Sequence, residues 1–203
     1  MIMPTTTTIK PGGYSLTEIE STRKYVKDVF ADIQQARETY PFIEATLLPT
    51  VDPVPIQLKV AAVNKSLLER THAKREDFAG PYSRELEIIV PFDYKKAGCK
   101  VYGGKWIDTK LVKEEYQHFN DNRKDGCYLF CVGVPESFPQ MENVILENIR
   151  TAEKMLMAYE LYQTGETKSL ELNTYSHGTK GINEYAKDKK RYKGKQKRCR
   201  SPR

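Results

Sequence analysis

The side chains with the most chemistry to offer lie in one short stretch, His118-Phe-Asn120-Asp-Asn-Arg-Lys-Asp125-Gly126-Cys127-Tyr-Leu-Phe-Cys131-Val-Gly133. A His-x-Asn turn, an Asp-Gly turn and a short strand ending in cysteine would place a thiol at a strand end beside polar loop groups. A thiol so placed is accessible enough to act as a nucleophile. The competing reading is that Cys127 and Cys131 are two small buried residues, because an unoxidised cysteine packs as a small hydrophobe. Composition alone favours that second reading. A zinc site would need a second pair of ligands beside Cys127 and Cys131, and only His118 and His177 stand near enough in sequence to be considered. No such pair is present, so no metal is expected. There is also no Gly-x-Ser-x-Gly and no glycine-rich phosphate loop, hence no expected cofactor. Cys99, before a strand, and Cys199, in a basic tail, read as incidental.

The elements that must position these residues follow from hydrophobic period. Ser15 and Glu18 form a capping box, and Leu16, Ile19, Val26, Val29, Phe30 and Ile33 then recur at helical spacing until Tyr40-Pro41. Strand-like runs follow at Ile43–Leu48, Ile56–Val63, Glu85–Val90 and Lys100–Tyr102, broken by proline and glycine turns. Short strands joined by turns imply an antiparallel meander. The polar stretch from Asn64 to Ser83 reads as a long connection with some helix. Tyr128 to Val134 is a further short apolar run. After Pro139, Met141, Ile145, Ile149, Ala152, Leu156 and Tyr159 form one helical stripe, with Thr164-Gly165 as its stop. The expected fold class is α+β, an antiparallel meander sheet flanked by an N-terminal and a C-terminal helix.

Charge divides the chain unevenly. The net charge of +6 over 203 residues conceals a tail, residues 186–203, with ten Lys or Arg against one Asp. The first 185 residues carry 23 basic and 26 acidic side chains, so the body is mildly acidic. The expected division is a flexible N-terminus at 1–14, a domain at 15–185 and a basic disordered tail at 186–203. Such a tail stays solvated or binds polyanions weakly and without specificity. No apolar run approaches the ~20 residues of a membrane span. Without a basic-then-apolar leader pattern, and with only four cysteines, a cytoplasmic, reduced chain is expected.

Taken in order, the elements resemble the ubiquitin-conjugating (E2, UBC-like) fold, over about Ser15 to Tyr185. The run ELEIIVPFDY (Glu85–Tyr94) is similar to the strand that ends in that family's Pro-x-x-Tyr-Pro turn. HFN (His118–Asn120) stands where the family has His-Pro-Asn. DGCYLFCVGVPES (Asp125–Ser137) resembles the Asp-Gly-x-Leu-Cys stretch of bacterial E2-like proteins, and TYSHGTKGINEY (Thr174–Tyr185) the Ser-His-Gly tail of some of them. The chain departs from the pattern at Lys95-Lys96, where a proline is usual, at Phe119, and in the Asp-Gly to cysteine spacing. The apolar-Cys-apolar texture of Leu129 to Gly133 favours Cys131 as the family's thioester cysteine, with Cys127 as the alternative. The resemblance implies an E2-like acyl (thioester) transferase that accepts a protein C-terminus on Cys131 and passes it to an amine. Asn120 would stabilise the oxyanion, or else cap its loop, and His118 would brace the loop; His177 has no assigned role. With no ATP-binding motif, an E1-like activating enzyme would be required, or a reduced system without one. The bacterial stand-alone members occur in anti-phage (CBASS) operons and modify a cGAS-like nucleotidyltransferase, which the resemblance implies as a partner. The rival readings are a non-catalytic E2-shaped binding module and a nucleic-acid-associated protein acting through its tail, where Tyr192 sits among lysines and arginines.

Overall fold

Buried hydroxyls decide how the first helix turns towards the core. In the computed structural model, which describes residues 16–48, 55–72, 74–112, 117–168 and 170, helix α1 spans Leu16–Arg37. Its buried stripe is Tyr25, Val29, Ile33 and Ala36, continued by Tyr40 just beyond the helix. Ile19 and Phe30, expected on the apolar stripe, are exposed instead, Phe30 to 45%. The reason is Tyr25. Its phenol donates to the Val90 carbonyl at 2.6 Å and accepts from the Ile56 N–H at 3.0 Å, so this amphipathic ring goes inward with its polar end satisfied. Phe30 then lies ~100° round the helix from buried Val29 and faces out. The capping residue Ser15 lies outside the described residues.

Among the described residues six strands follow: β1 (Ile43–Leu47), β2 (Ile56–Ala61), β3 (Glu85–Val90), β4 (Lys100–Gly103), β5 (Phe119–Lys124) and β6 (Cys127–Phe130). All pairings are antiparallel, in the order β1-β2-β3-β4-β6-β5. The first four make the expected meander. The strand β5 was not expected, since its polar sequence FNDNRK lacks apolar alternation; it forms because β6 offers a hydrogen-bonding edge through a tight hairpin.

Register sorts side chains to two faces. Ala45, Leu58, Ile88, Val101, Phe130 and Phe119 form one row across the sheet on the inner face. Most are fully buried, and each large apolar side chain contributes about 1.5–3 kcal/mol by leaving water. The adjacent row is Glu44, Lys59, Glu87, Tyr102, Leu129 and Asn120, on the outer face.

The connections carry short helices. The expected connection holds α2 (Lys65–Thr71), whose cap Asn64 accepts from the Ser66 N–H, and a 3-10 turn at Arg75–Phe78. After β3, α3 (Tyr94–Ala97) buries Tyr94, whose phenol donates to Asp32 of α1 at 2.6 Å. The last described helix, α4, spans Val144–Gln163. It starts later than its predicted stripe, leaving Met141 outside, because Asn143 caps it. The Asn143 side chain accepts from the Leu146 N–H at 2.9 Å and donates to the Asp32 carbonyl at 2.8 Å, tying α4 to α1. Gly165, at φ 78°, follows its end.

The described residues group into two compact units, those within 16–106 with 119–156, and those within 107–118 with 157–170. In the second, Ile107, Val112, Tyr159 and Leu170 are buried, and the Asp108 N–H donates to Gln163 at 2.6 Å. No described helix is long and apolar enough to cross a membrane.

Candidate functional site: the β5–β6 hairpin

The hairpin exists because Asp125 and Gly126 both adopt positive φ, 51° and 84°. That is the two-residue turn whose twist suits antiparallel strands, and Asp-Gly is among the sequences that form it. The stem of Lys105 covers the turn, lying 3.3 Å from where a Cβ on Gly126 would stand. Along β6 and just beyond it, Tyr128, Phe130 and Val132 are buried while Cys127, Leu129 and Cys131 are half-buried. Cys127 therefore shares the outer face of β6 with Leu129, and Cys131 follows just past the strand's end. Four steps along the chain, ~3.3 Å each where it is extended, put the two cysteines up to ~13 Å apart, and no disulfide joins any of the described cysteines.

Asn120 is exposed and lies inside β5, not in a turn as expected. It stands directly opposite Leu129. A residue two positions from a direct partner is a diagonal neighbour at ~7–8 Å, a gap that aromatic and long side chains span and that Asn and Cys do not close by themselves. Both Cys127 and Cys131 hold that relation to Leu129. The register between β5 and β6 is regular from Phe119 to Asn120 but shifts between Asn120 and Lys124, where four steps of β5 face two of β6. That bulge falls on the Cys127 side of Asn120. The undistorted side leads to Cys131.

His118 is buried, and its backbone N–H donates to the Tyr159 phenol at 2.8 Å. The residue that precedes β5 is thus held through its backbone. His177, Cys199 and the basic tail lie outside the described residues.

The three described thiols differ in surroundings. Burial raises the pKa of Cys131. Burial also raises that of Cys127, but there the Lys105 ammonium and a hydrogen bond from the Lys105 backbone N–H work the other way, while Asp125 adds to the rise. Burial, reinforced by Asp32, pushes Cys99 furthest up. All three are neutral thiols near pH 7, so nucleophilic use requires deprotonation as the electrophile docks. Lys105 had no signal in the sequence beyond following Gly103-Gly104. Lys124, which pairs with Glu87, had none either. Among the described residues no group of three His, Cys, Asp or Glu side chains is placed to hold a metal ion.

Comparison of the chain with protein-family models, with curated proteins and with solved structures returns no match.

Proposed function

We propose that the chain is an E2-like acyl carrier, a ubiquitin-conjugating-type fold that takes the C-terminal carboxyl of a protein as a thioester on Cys131 and transfers it to an amine. The observation that supports this most is that Asn120 is exposed in β5 opposite Leu129, and that half-buried Cys131 follows directly on the end of β6, beyond the regular pairs Asn120–Leu129 and Phe119–Phe130. In the first step the Cys131 thiolate attacks an activated carbonyl carbon and expels the activating enzyme's thiolate. In the second an amine attacks, the amide forms, the Cys131 thiolate leaves and the amine gives up a proton. Both steps pass through an oxyanion. The Asn120 amide N–H is a donor on the outer face, and one well-placed donor lowers such a barrier by about 3 kcal/mol. His118, whose backbone N–H donates to the Tyr159 phenol, keeps the loop-bracing role that the resemblance implies. The order of helix, antiparallel sheet, thiol and helix is consistent with the same reading.

The partners follow from this proposal. An E1-like activating enzyme supplies the activated carboxyl, and a cGAS-like nucleotidyltransferase in a bacterial anti-phage operon is the protein conjugated. The basic tail adds weak polyanion binding.

A specific observation favours Cys127 as the second candidate nucleophile: the Lys105 ammonium and backbone N–H beside it both favour its thiolate. Trapping from cells that carry the neighbouring genes decides between them. With Cys131→Ser the reductant-labile adduct should become a stable oxyester, and with Cys131→Ala it should vanish. An adduct that survives Cys131→Ala and is lost with Cys127→Ala transfers the role to Cys127. If neither substitution matters, the chain is a binding module.

A further inference from the structure

We infer that Phe138 positions Cys131: its ring, seated between the backbones of Gly98 and Gly133, anchors the chain just beyond the thiol. This rests on the reading of Cys131 as the acyl-carrying residue. The ring is almost wholly buried and lies where two side chains would otherwise be. A Cβ on Gly133 would stand 2.8 Å from Phe138 Cε1 and 3.0 Å from Cζ. A Cβ on Gly98, in the turn between α3 and β4, would meet the same ring at 2.4 to 2.9 Å. Real Cβ atoms do not approach so closely, so glycine at both positions admits the phenylalanine.

The segment carrying the thiol is held on both sides. Before it, Phe130 pairs with Val101 of β4 and Phe119 of β5. After it, Val132 is buried and Gly133 rests on the ring. The chain then closes a turn in which the Ser137 hydroxyl and N–H both donate to the Val134 carbonyl, at 2.7 and 2.9 Å. A 3-10 turn at Phe138–Gln140 fixes the base of the ring. Cys131 lies between these anchors with little freedom of its own. Its exposure, and the direction in which it meets an incoming carbonyl, are therefore set from Phe138.

The burial that raises the Cys131 pKa gives the test its readout. In the full chain, Phe138→Leu removes the ring that presses on Gly133. The pH midpoint of Cys131 alkylation by iodoacetamide, read by mass spectrometry of its peptide, should fall towards that of an ordinary thiol. At pH 7.5 its rate should rise about threefold or more, because a larger fraction is thiolate. Adduct formation with the cognate C-terminus should instead drop roughly tenfold to a hundredfold, as loss of aim does in other transfer sites. Cys127, at the other end of β6, serves as the internal reference and should not change.

Gly133→Ala presses on the ring from the exposed side and should shift the same two readouts if Phe138→Leu fails to fold. The double variant should be no worse than the poorer single one, because leucine leaves room for the added methyl. If Cys127 and Cys131 shift together, or neither shifts, Phe138 merely fills the core and the inference falls. A Cys131-specific shift in a chain whose wild type forms no adduct leaves the positioning intact and removes the conjugation reading instead.

Discussion

Asn120 and the cysteines around it differ less in residue type than in which neighbour each has been dealt. If Asn120 donates to an oxyanion, Asn120→Ala should slow amide formation by about a hundredfold, the size of one lost donor. The amount of thioester trapped on Cys131 at steady state should then stay level or rise, which quench-flow with non-reducing gels would read. A loss of folded protein instead would mean that the amide serves the strand. Lys105 makes a separate expectation at Cys127. Its ammonium opposes the burial that raises that thiol, so Lys105→Gln should raise the midpoint of Cys127 alkylation further. Lys105→Arg should restore it, and Cys131 should not respond. His118 and Asn120 were legible in the sequence as a pair worth attention, because their spacing matched a known pattern. Their placement was not: a turn was expected, whereas His118 precedes a strand and Asn120 lies within it, because the edge offered by β6 outweighs the weak strand preference of Asn and Asp.

Three buried tyrosines join the helices to the sheet and to one another, and their chemistry predicts how the packing responds to alkali. Tyr25, Tyr40 and Tyr94 all have raised pKa values, chiefly from burial. For Tyr40 and Tyr94 the next cause is a hydrogen bond to a carboxylate, Glu153 and Asp32 respectively. A phenol whose folded pKa lies above its unfolded value keeps its proton while the unfolded chain loses it. Its stabilisation is complete below pH ~10 and falls as pH rises beyond that, by about 1.4 kcal/mol per pH unit for each group. Urea midpoints measured between pH 9.5 and 11.5 should therefore fall steeply. Tyr94→Phe should lower stability at pH 8 yet flatten the alkaline slope by one group's share; an unchanged slope would show that Tyr94 ionises freely when folded. At the start of α4, Asn143→Ala should cost about 1–3 kcal/mol, since it removes a helix cap and a buried tie to α1 together. The helical period located both long helices. It missed the rotation of α1, because apolar spacing is satisfied by two neighbouring stripes and only the hydroxyl partners of Tyr25 choose between them.

Across the whole chain, charge is a property of one end. Deleting residues 186–203 removes +9 and leaves a chain of net charge −3. The truncated protein should pass through a cation exchanger that retains the full chain at neutral pH. Its Tm should change by no more than a degree or two, because those residues contribute almost no apolar surface to a core. A large drop in Tm would show that the tail packs on the domain.

Composition and period were enough for an α+β chain with a helix towards each end, a four-strand meander between and a cysteine-bearing run after it. These are local properties, carried by alternation, turn residues and capping side chains within a few positions of one another. The tertiary structure decided what depends on distant pairs. Cys127 and Leu129 were turned to the outer face by a register set strands away, where Leu129 stands opposite Tyr102 of β4 and Tyr102 opposite Glu87 of β3. Cys99 was withdrawn from solvent, with its backbone N–H donating to the Asn148 side chain 49 positions along the chain. Phe138 came to rest on two glycines 35 residues apart. No window of sequence contains such pairs, because the energy that selects them is the burial and hydrogen bonding they acquire only once the chain has closed on itself.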